Sequence, residues 1–238
     1  MHMPTKEPQI NRLLGALPPE EMEILRPHLQ QVPLIFRERL YEAGEPIRHV
    51  WFPNSGVVSM ITELAEGDPV ELATIGPEGM VGIALILGSE RMENVAFNQI
   101  AGDALRMDAA QFRSSLERCP ALHRLLLRYT AALMQQISQG AACNRMHTVE
   151  ERCARWLLMT HDRVYTPNFL LTQEFLGQML GVRRPTVSLA AGMLQKAGLI
   201  HYSRGEITIC DREGLEAAAC ECYEVIRKEF ERLVGAPG

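Results

Sequence analysis

No Cys-x-x-Cys pair occurs in this 238-residue chain, and none of its six cysteines precedes Cys119. They stand at 119, 143, 153, 210, 220 and 222 with no secretion signal beside them, which excludes a disulfide-framework scaffold. Cys220 and Cys222 lie two apart in an apparent helix and so should point in separate directions. The thiols therefore read as small buried or half-exposed side chains, and neither a metal site nor a cofactor is expected. Between Val32 and Met107 the only histidine is His49. A metal-dependent enzyme built on a β-roll needs clustered His and Glu, and no Ser-His-Asp or Cys-His signature is present either, so catalysis is not expected. There is no internal repeat, no low-complexity segment and no apolar run of membrane-spanning length. Met1 to Gln9 is polar and contains proline instead of an apolar signal core, and the chain reads as cytoplasmic with no membrane partner.

The net charge is −5, which disfavours a general nucleic-acid binder. Its distribution is uneven. Residues 1–118 hold ten Lys and Arg against seventeen Asp and Glu, whereas residues 119–238 hold fourteen against twelve. A sequence-specific reader needs only a local basic face, and the second half could supply one.

The chain falls into three parts. Residues 1–118 begin with a helical stretch over 10–30, opened by Pro18-Pro19-Glu20-Glu21. Short β-like runs follow: Val50 to Phe52, Val57 to Ile61, Val70 to Ile75, Asn94 to Ile100 and Ala104 to Met107. Regularly spaced glycines separate them, and Glu66-Gly67-Asp68 reads as a hairpin turn. The pattern predicts a sandwich or roll. Residues 109–118 predict a short helix. Pro120 opens a long one reaching about His147, within a second part spanning 119–147. There Leu122, Leu126, Tyr129, Leu133, Gln136, Gly140, Cys143 and His147 follow an alternating four-three spacing. That is a coiled-coil-like seam, expected to join two copies, and a charge at Leu126 or Leu133 should split them. A core helix packed on the roll is the alternative reading of the same spacing. The third part is 148–238, with Thr148 as the N-cap of its first helix.

The most specific stretch runs from Leu171 to Ile209. A short helix with apolar Phe175, Leu176, Met179 and Leu180 is stopped by Gly181. A second begins at Arg183 to Thr186 and turns Val187, Ala190, Ala191 and Leu194 inward. Gly198 ends it, and two β-like runs follow, joined at Arg204-Gly205. This is the pattern of a winged helix-turn-helix, whose second helix can lie in a DNA major groove. The candidate contacts are Thr172, Gln173, Arg183, Arg184, Thr186, Ser188 and Arg204. An Arg fork matches guanine O6 and N7, a helix N-terminus at Thr172 suits phosphate, and Arg204 at the turn tip could reach the backbone or minor groove.

With these motifs in place, the sequence resembles the cyclic-AMP receptor protein/fumarate-nitrate regulator (Crp/Fnr) family of bacterial transcription factors over nearly its whole length. The resemblance implies an α+β chain: an N-terminal antiparallel β-roll of cyclic-nucleotide-binding type (a double-stranded β-helix), a long dimerisation helix, and a C-terminal winged helix-turn-helix. It implies a homodimer on palindromic double-stranded DNA, an unidentified small-molecule effector in the roll, and RNA polymerase as a candidate further partner. Gly76, Glu78, Gly79, Gly82 and Asn94 are the candidate effector residues, although the glycine segment could equally be only a tight turn. Departures are evident. Pro185 and Leu189 occupy positions where many members carry Glu and Arg. Ile83 stands where cyclic-nucleotide binders carry Glu, and Glu93-Asn94 where they carry Arg-Ser or Arg-Thr. A carboxylate there would repel a cyclic phosphate. The alternatives are a cyclic-nucleotide-responsive regulator or a ligand-independent one whose roll contacts proteins. The N-terminal cysteine cluster of the iron–sulfur members is absent, and a haem would need a lone ligand such as His28, His49 or His123.

Overall fold

The computed structural model describes residues 11–65, 69–164 and 166–235; the Glu66-Gly67-Asp68 turn lies outside them. In chain order the elements are α1 (Arg12–Gly15), α2 (Pro19–Leu25), β1 (Gln30–Leu34), β2 (Arg39–Tyr41), β3 (His49–Pro53), β4 (Val57–Thr62), β5 (Val70–Ile75), β6 (Val95–Ile100) and β7 (Gly102–Asp108). They continue with α3 (Ala109–Arg118), α4 (Pro120–Met146), α5 (Val149–Val164), β8 (Asn168–Leu170), α6 (Gln173–Leu180), α7 (Arg184–Lys196), β9 (Ile200–Ser203), β10 (Glu206–Ile209), α8 (Arg212–Ala218) and α9 (Cys222–Val234). The helix expected over 10–30 is instead two short helices and a 3-10 turn at Arg26–His28, because Pro18 ends one helical stretch and opens the next.

The roll consists of two antiparallel sheets, ordered β1-β7-β3 and β2-β6-β4-β5. Strand β4 does not alternate between buried and exposed: Val57 to Ile61 are all buried. One face of its sheet meets the roll interior and the other is covered by helices, so the run is apolar throughout except for Ser59. Against that outer face lie α5 and α6, with the Phe97 and Phe175 rings edge to face at 5.9 Å.

Side chains cap several helix starts. Glu21 accepts from the N–H groups of Ala121 and Leu122, each at 2.8 Å, which places a carboxylate on the N-terminus of α4. Asp108 caps α3. Thr148 and Glu151 form a reciprocal capping box at the start of α5. Helix α9 leaves the winged unit and runs back antiparallel along α4: Phe230 meets Tyr129 with ring centres 6.3 Å apart, and Cys222 accepts from Gln139 at 3.1 Å.

The packing of α4 corrects the expected dimer seam. Leu122, Leu126, Tyr129, Leu133 and Gln136 are all buried within the single chain. Tyr129 donates to the Met80 carbonyl at 3.1 Å, and Gln136 donates to the Thr74 carbonyl at 3.1 Å. The four-three spacing thus marks the face that α4 lays on its own roll and on α9, which is the core-helix reading. No helix among the described residues is long and apolar enough to cross a membrane.

Candidate nucleic-acid interface

Helix α6 starts at Thr172, whose Oγ1 accepts from the Phe175 N–H at 3.2 Å, and it stops at Gly181, where φ is +63°. A left-handed residue at that place suits glycine and turns the chain into α7. Gly177 allows the two helices to approach, since a Cβ there would lie 2.9 Å from the Val182 carbonyl oxygen. Val187, Ala190, Ala191 and Leu194 form the buried stripe of α7. The wing is the sheet β8-β10-β9, in which β9 and β10 pair as a hairpin through Arg204 and Gly205. Both tip residues have positive φ, +51° and +81°, as a two-residue hairpin turn with right-handed strand twist requires.

A groove of about 520 Å³ is lined by Thr172, Gln173, Glu174, Arg184, Tyr202, Arg204 and Gly205. It brings together four of the residues expected to contact DNA: Thr172, Gln173, Arg184 and Arg204. Arg183 is exposed at the N-cap of α7 and makes no side-chain cap bond. Thr186 is half-buried one turn on. Ser188 donates to Gln173 Oε1 at 2.6 Å, so it braces the start of α6 as well as facing outward. Tyr202 was not singled out from the sequence. Its hydroxyl donates to the Leu171 carbonyl at 2.9 Å and ties the wing to the approach to α6. The outward face of α7 also carries apolar side chains, with Leu189 70% and Met193 49% exposed.

The candidate effector residues are mostly consumed by packing. Gly76 lies against Arg163, and a Cβ on Gly79 would fall 2.6 Å from the Tyr129 hydroxyl. The segment Gly76 to Gly79 forms a tight turn, in which the Gly79 N–H donates to the Gly76 carbonyl at 3.0 Å. Gly82, with φ +101°, starts a 3-10 turn packed on Val50. Asn94 accepts from the Tyr41 hydroxyl at 2.7 Å. Glu78 borders a cavity of about 320 Å³ that is also lined by Arg12, Asp162, Arg212 and Tyr223.

The cysteine reading also needs correction. Cys220 and Cys222 do not share a helix, because α8 ends at Ala218 and Ala219 turns to extended backbone. Their thiols converge with those of Cys143 and with His147. With Cys220 as donor, the hydrogen bond between the two holds the Cys143 thiol below the ordinary thiol range. The i, i+4 spacing of Cys143 and His147 was a usable signal, but the break at Ala219 was not visible in the residues.

The comparisons agree with this architecture. Residues 37–119 match the cyclic nucleotide-binding domain and residues 151–218 the Crp-like helix-turn-helix domain. Over 214 residues the chain is 26% identical to a CRP-like cAMP-activated global transcriptional regulator of Mycobacterium tuberculosis, covering 87% of this chain and 96% of that one. Among solved structures, FixK2 from Bradyrhizobium japonicum superposes with a TM-score of 0.69 at 19% identity, covering 81% of this chain and 98% of that one. A Crp/Fnr-family regulator from Eubacterium rectale superposes with a TM-score of 0.67 at 18% identity, with coverages of 87% and 96%. Roll, long helix and winged helix-turn-helix define a DNA-binding regulator rather than an enzyme. The chain carries the two domains of Crp/Fnr-type transcriptional regulators.

Proposed function

We propose that the protein acts in the cytoplasm as a homodimer that reads a palindromic operator and couples that reading to a small-molecule effector in the roll. The observation that carries the DNA reading is the groove joining Thr172, Gln173, Arg184 and Arg204 on one open face. The proposed units are the sensor roll (1–118), the long helix (119–147) and the reading domain (148–238), with α9 of the last folded back on α4.

The effector reading is supported by Asn98. It is fully buried in β6, paired with core residue Val58 of β4, and neither of its amide atoms has a partner among the described residues. A buried polar group of that kind costs stability unless something meets it. Cyclic AMP activates the mycobacterial relative, but Ile83 is buried and Glu93 brings a carboxylate where a cation would serve a cyclic phosphate. The effector is therefore of another class. Its mechanism would be a population shift between poses of the reading domain.

The test is selection of duplex DNA from genomic fragments, run with Arg184→Ala beside the wild type and with cyclic AMP as a probe ligand. The expected result is a palindromic consensus whose affinity is unchanged by cyclic AMP. Arg184→Ala should lose about 1–3 kcal/mol and relax one base position. Enrichment only in the presence of cyclic AMP would overturn the effector assignment, and uniform weakening on all sequences would reduce Arg184 to a phosphate contact.

A further inference from the structure

Cys143 and His147 sit one turn apart at the end of α4 and share a face. Cys220 lies in the extended connection after α8, and Cys222 opens α9. The ligand atoms of these four residues all lie within 4.8 Å of one another. Cys143 and Cys220 sulfurs are 3.5 Å apart, and Cys222 sulfur is 3.5 Å from His147 Nδ1. A tetrahedral zinc ion, with bonds of about 2.3 Å to sulfur and about 2.0 Å to nitrogen, separates its ligands by roughly 3.5–3.8 Å. A polynuclear iron–sulfur cluster anchors its cysteines on different irons and holds them farther apart.

Two further observations point to a metal. On its other side, His147 Nε2 faces Glu221 Oε2 at 3.1 Å, so this nitrogen carries the proton and leaves the Nδ1 lone pair turned toward the thiols. A carboxylate behind a ligating imidazole is the usual support of a histidine–metal bond. Next to the thiols lie Arg152 and Arg155, both buried and each with an Nε that has no partner among the described residues. Arg152 lies beside the sulfurs of Cys143 and Cys220. Buried guanidiniums need an anion, and three thiolates around a divalent ion leave one net negative charge beside them. The three cysteines also form a cluster of their own, apart from the main core.

We propose that Cys143, Cys220, Cys222 and His147 form a closed site for a single tetrahedral divalent ion of the zinc class. Four protein ligands leave no open position, so the ion clamps and does not catalyse. The clamp has a specific place in the fold. His147 caps α4 immediately before α5 begins, and Cys220 follows α8, so the ligands bracket the whole winged unit at both ends. Metal occupancy thereby fixes the joint between the long helix and the reading domain. The site stands independently of any effector or dimer.

The probe is Co²⁺ titrated into the freshly reduced full-length chain, followed by Zn²⁺. The expected result is one equivalent per chain, with thiolate-to-cobalt charge-transfer and tetrahedral ligand-field bands that Zn²⁺ abolishes. Cys143→Ser and Cys220→Ser should lose the charge-transfer band, and Cys210→Ser, at an exposed thiol, should keep it. Should the serine variants fail to fold, Glu221→Gln at an exposed position should fold and bind about ten-fold or more weakly. Saturating Zn²⁺ should slow amide exchange in 143–149 and 219–223 by about ten-fold or more. An octahedral spectrum without charge transfer, or a reduced chain that takes up no Co²⁺, would overturn the site. Metal binding that leaves those amides unchanged would overturn the clamp.

Discussion

Arg163 Nε donates to Glu78 Oε1 at 2.8 Å, and both side chains are under a tenth exposed. The pair joins α5 of the reading domain to the Gly76–Gly79 turn of the roll. Arg163 also donates to the Met159 carbonyl at 2.6 Å, so its charge is held by its own helix as well as by the roll. Breaking such a pair on one side strands a buried charge, at a cost of about 3–5 kcal/mol, whereas replacing both partners by apolar groups is often near neutral. Glu78→Gln should therefore destabilise the chain by about 3 kcal/mol in urea unfolding, and Glu78→Leu with Arg163→Met should recover most of it. A double variant that loses the sum of the Glu78→Leu and Arg163→Met single losses would mean that the pair adds no coupling between roll and reading domain.

A second link between the same units titrates near neutrality. Glu71 of β5 accepts from Trp156 Nε1 of α5 at 2.8 Å, and burial pushes its carboxyl up to about 7. The geometry agrees. The single hydroxyl proton of Ser59 faces both Glu71 Oε2 and Gln99 Oε1, and a protonated Glu71 resolves the conflict by donating to Ser59. Unfolded Glu71 ionises near 4.5. The folded chain thus keeps a proton that the unfolded chain has lost, and the resulting stability is complete below pH 4.5 and declines as pH rises through 7. The decline should reach about 3 kcal/mol at most, and Glu71→Gln should remove it. Urea midpoints at pH 5 and pH 7.5 read the difference; the same slope in both proteins would assign it to other groups.

Local chemistry explains which parts of this molecule could be read from sequence. The winged unit was legible because its breaks fall on residues with a backbone reason: Gly181 and Gly205 take positive φ, and Pro185 sits in the first turn of α7. The central strands of the roll were legible from their apolar runs. Strands β1, β2 and β8 were not, because Gln30–Leu34, Arg39–Tyr41 and Asn168–Leu170 are short and largely exposed. The inward turn of Leu122 to Gln136 depends on α9 lying along α4, a contact between segments about a hundred residues apart that no local period encodes. The convergence of Cys220 with Cys143 has the same origin.

Arg204 combines two roles that substitution can separate. It is a non-glycine residue at φ +51°, which costs about 1 kcal/mol, and it borders the groove beside Thr172 and Arg184. Asn tolerates the left-handed region and carries no charge. Arg204→Asn should leave thermal stability equal or slightly raised. If Arg204 contacts a phosphate, the variant should lower DNA affinity at every sequence and reduce the slope of log affinity against log salt by about 0.9. An unchanged slope would place Arg204 away from phosphate.

Leu189 stands on the outward face of α7 with its side chain 70% exposed, so its removal should leave the fold intact. An apolar side chain in the major groove meets the thymine methyl group. Leu189→Ala should weaken preference for one A·T pair by about 1 kcal/mol in competition binding. Unaltered preference at every position would exclude Leu189 from base reading.

With the inward seam assigned to the core, a proposed dimer along α4 would have to use the opposite side of that helix. Leu127 and Met134 are 46% and 62% exposed there. Ala131, Ser138, Ala141 and Arg145 continue the same four-three spacing along the exposed face. Two apolar side chains followed by small residues allow close approach of a second helix. Met134→Glu should then convert the dimer to a folded monomer, read as a halved mass in sedimentation with an unchanged far-ultraviolet spectrum. Leu126→Ala gives the contrasting result: it empties a fully buried site and should cost about 2–5 kcal/mol in unfolding while the mass stays dimeric. Sedimentation of the two variants side by side decides between the faces. A monomer from Leu126→Ala and a dimer from Met134→Glu would return the interface to the inward seam and require α9 to leave α4 in the assembled protein.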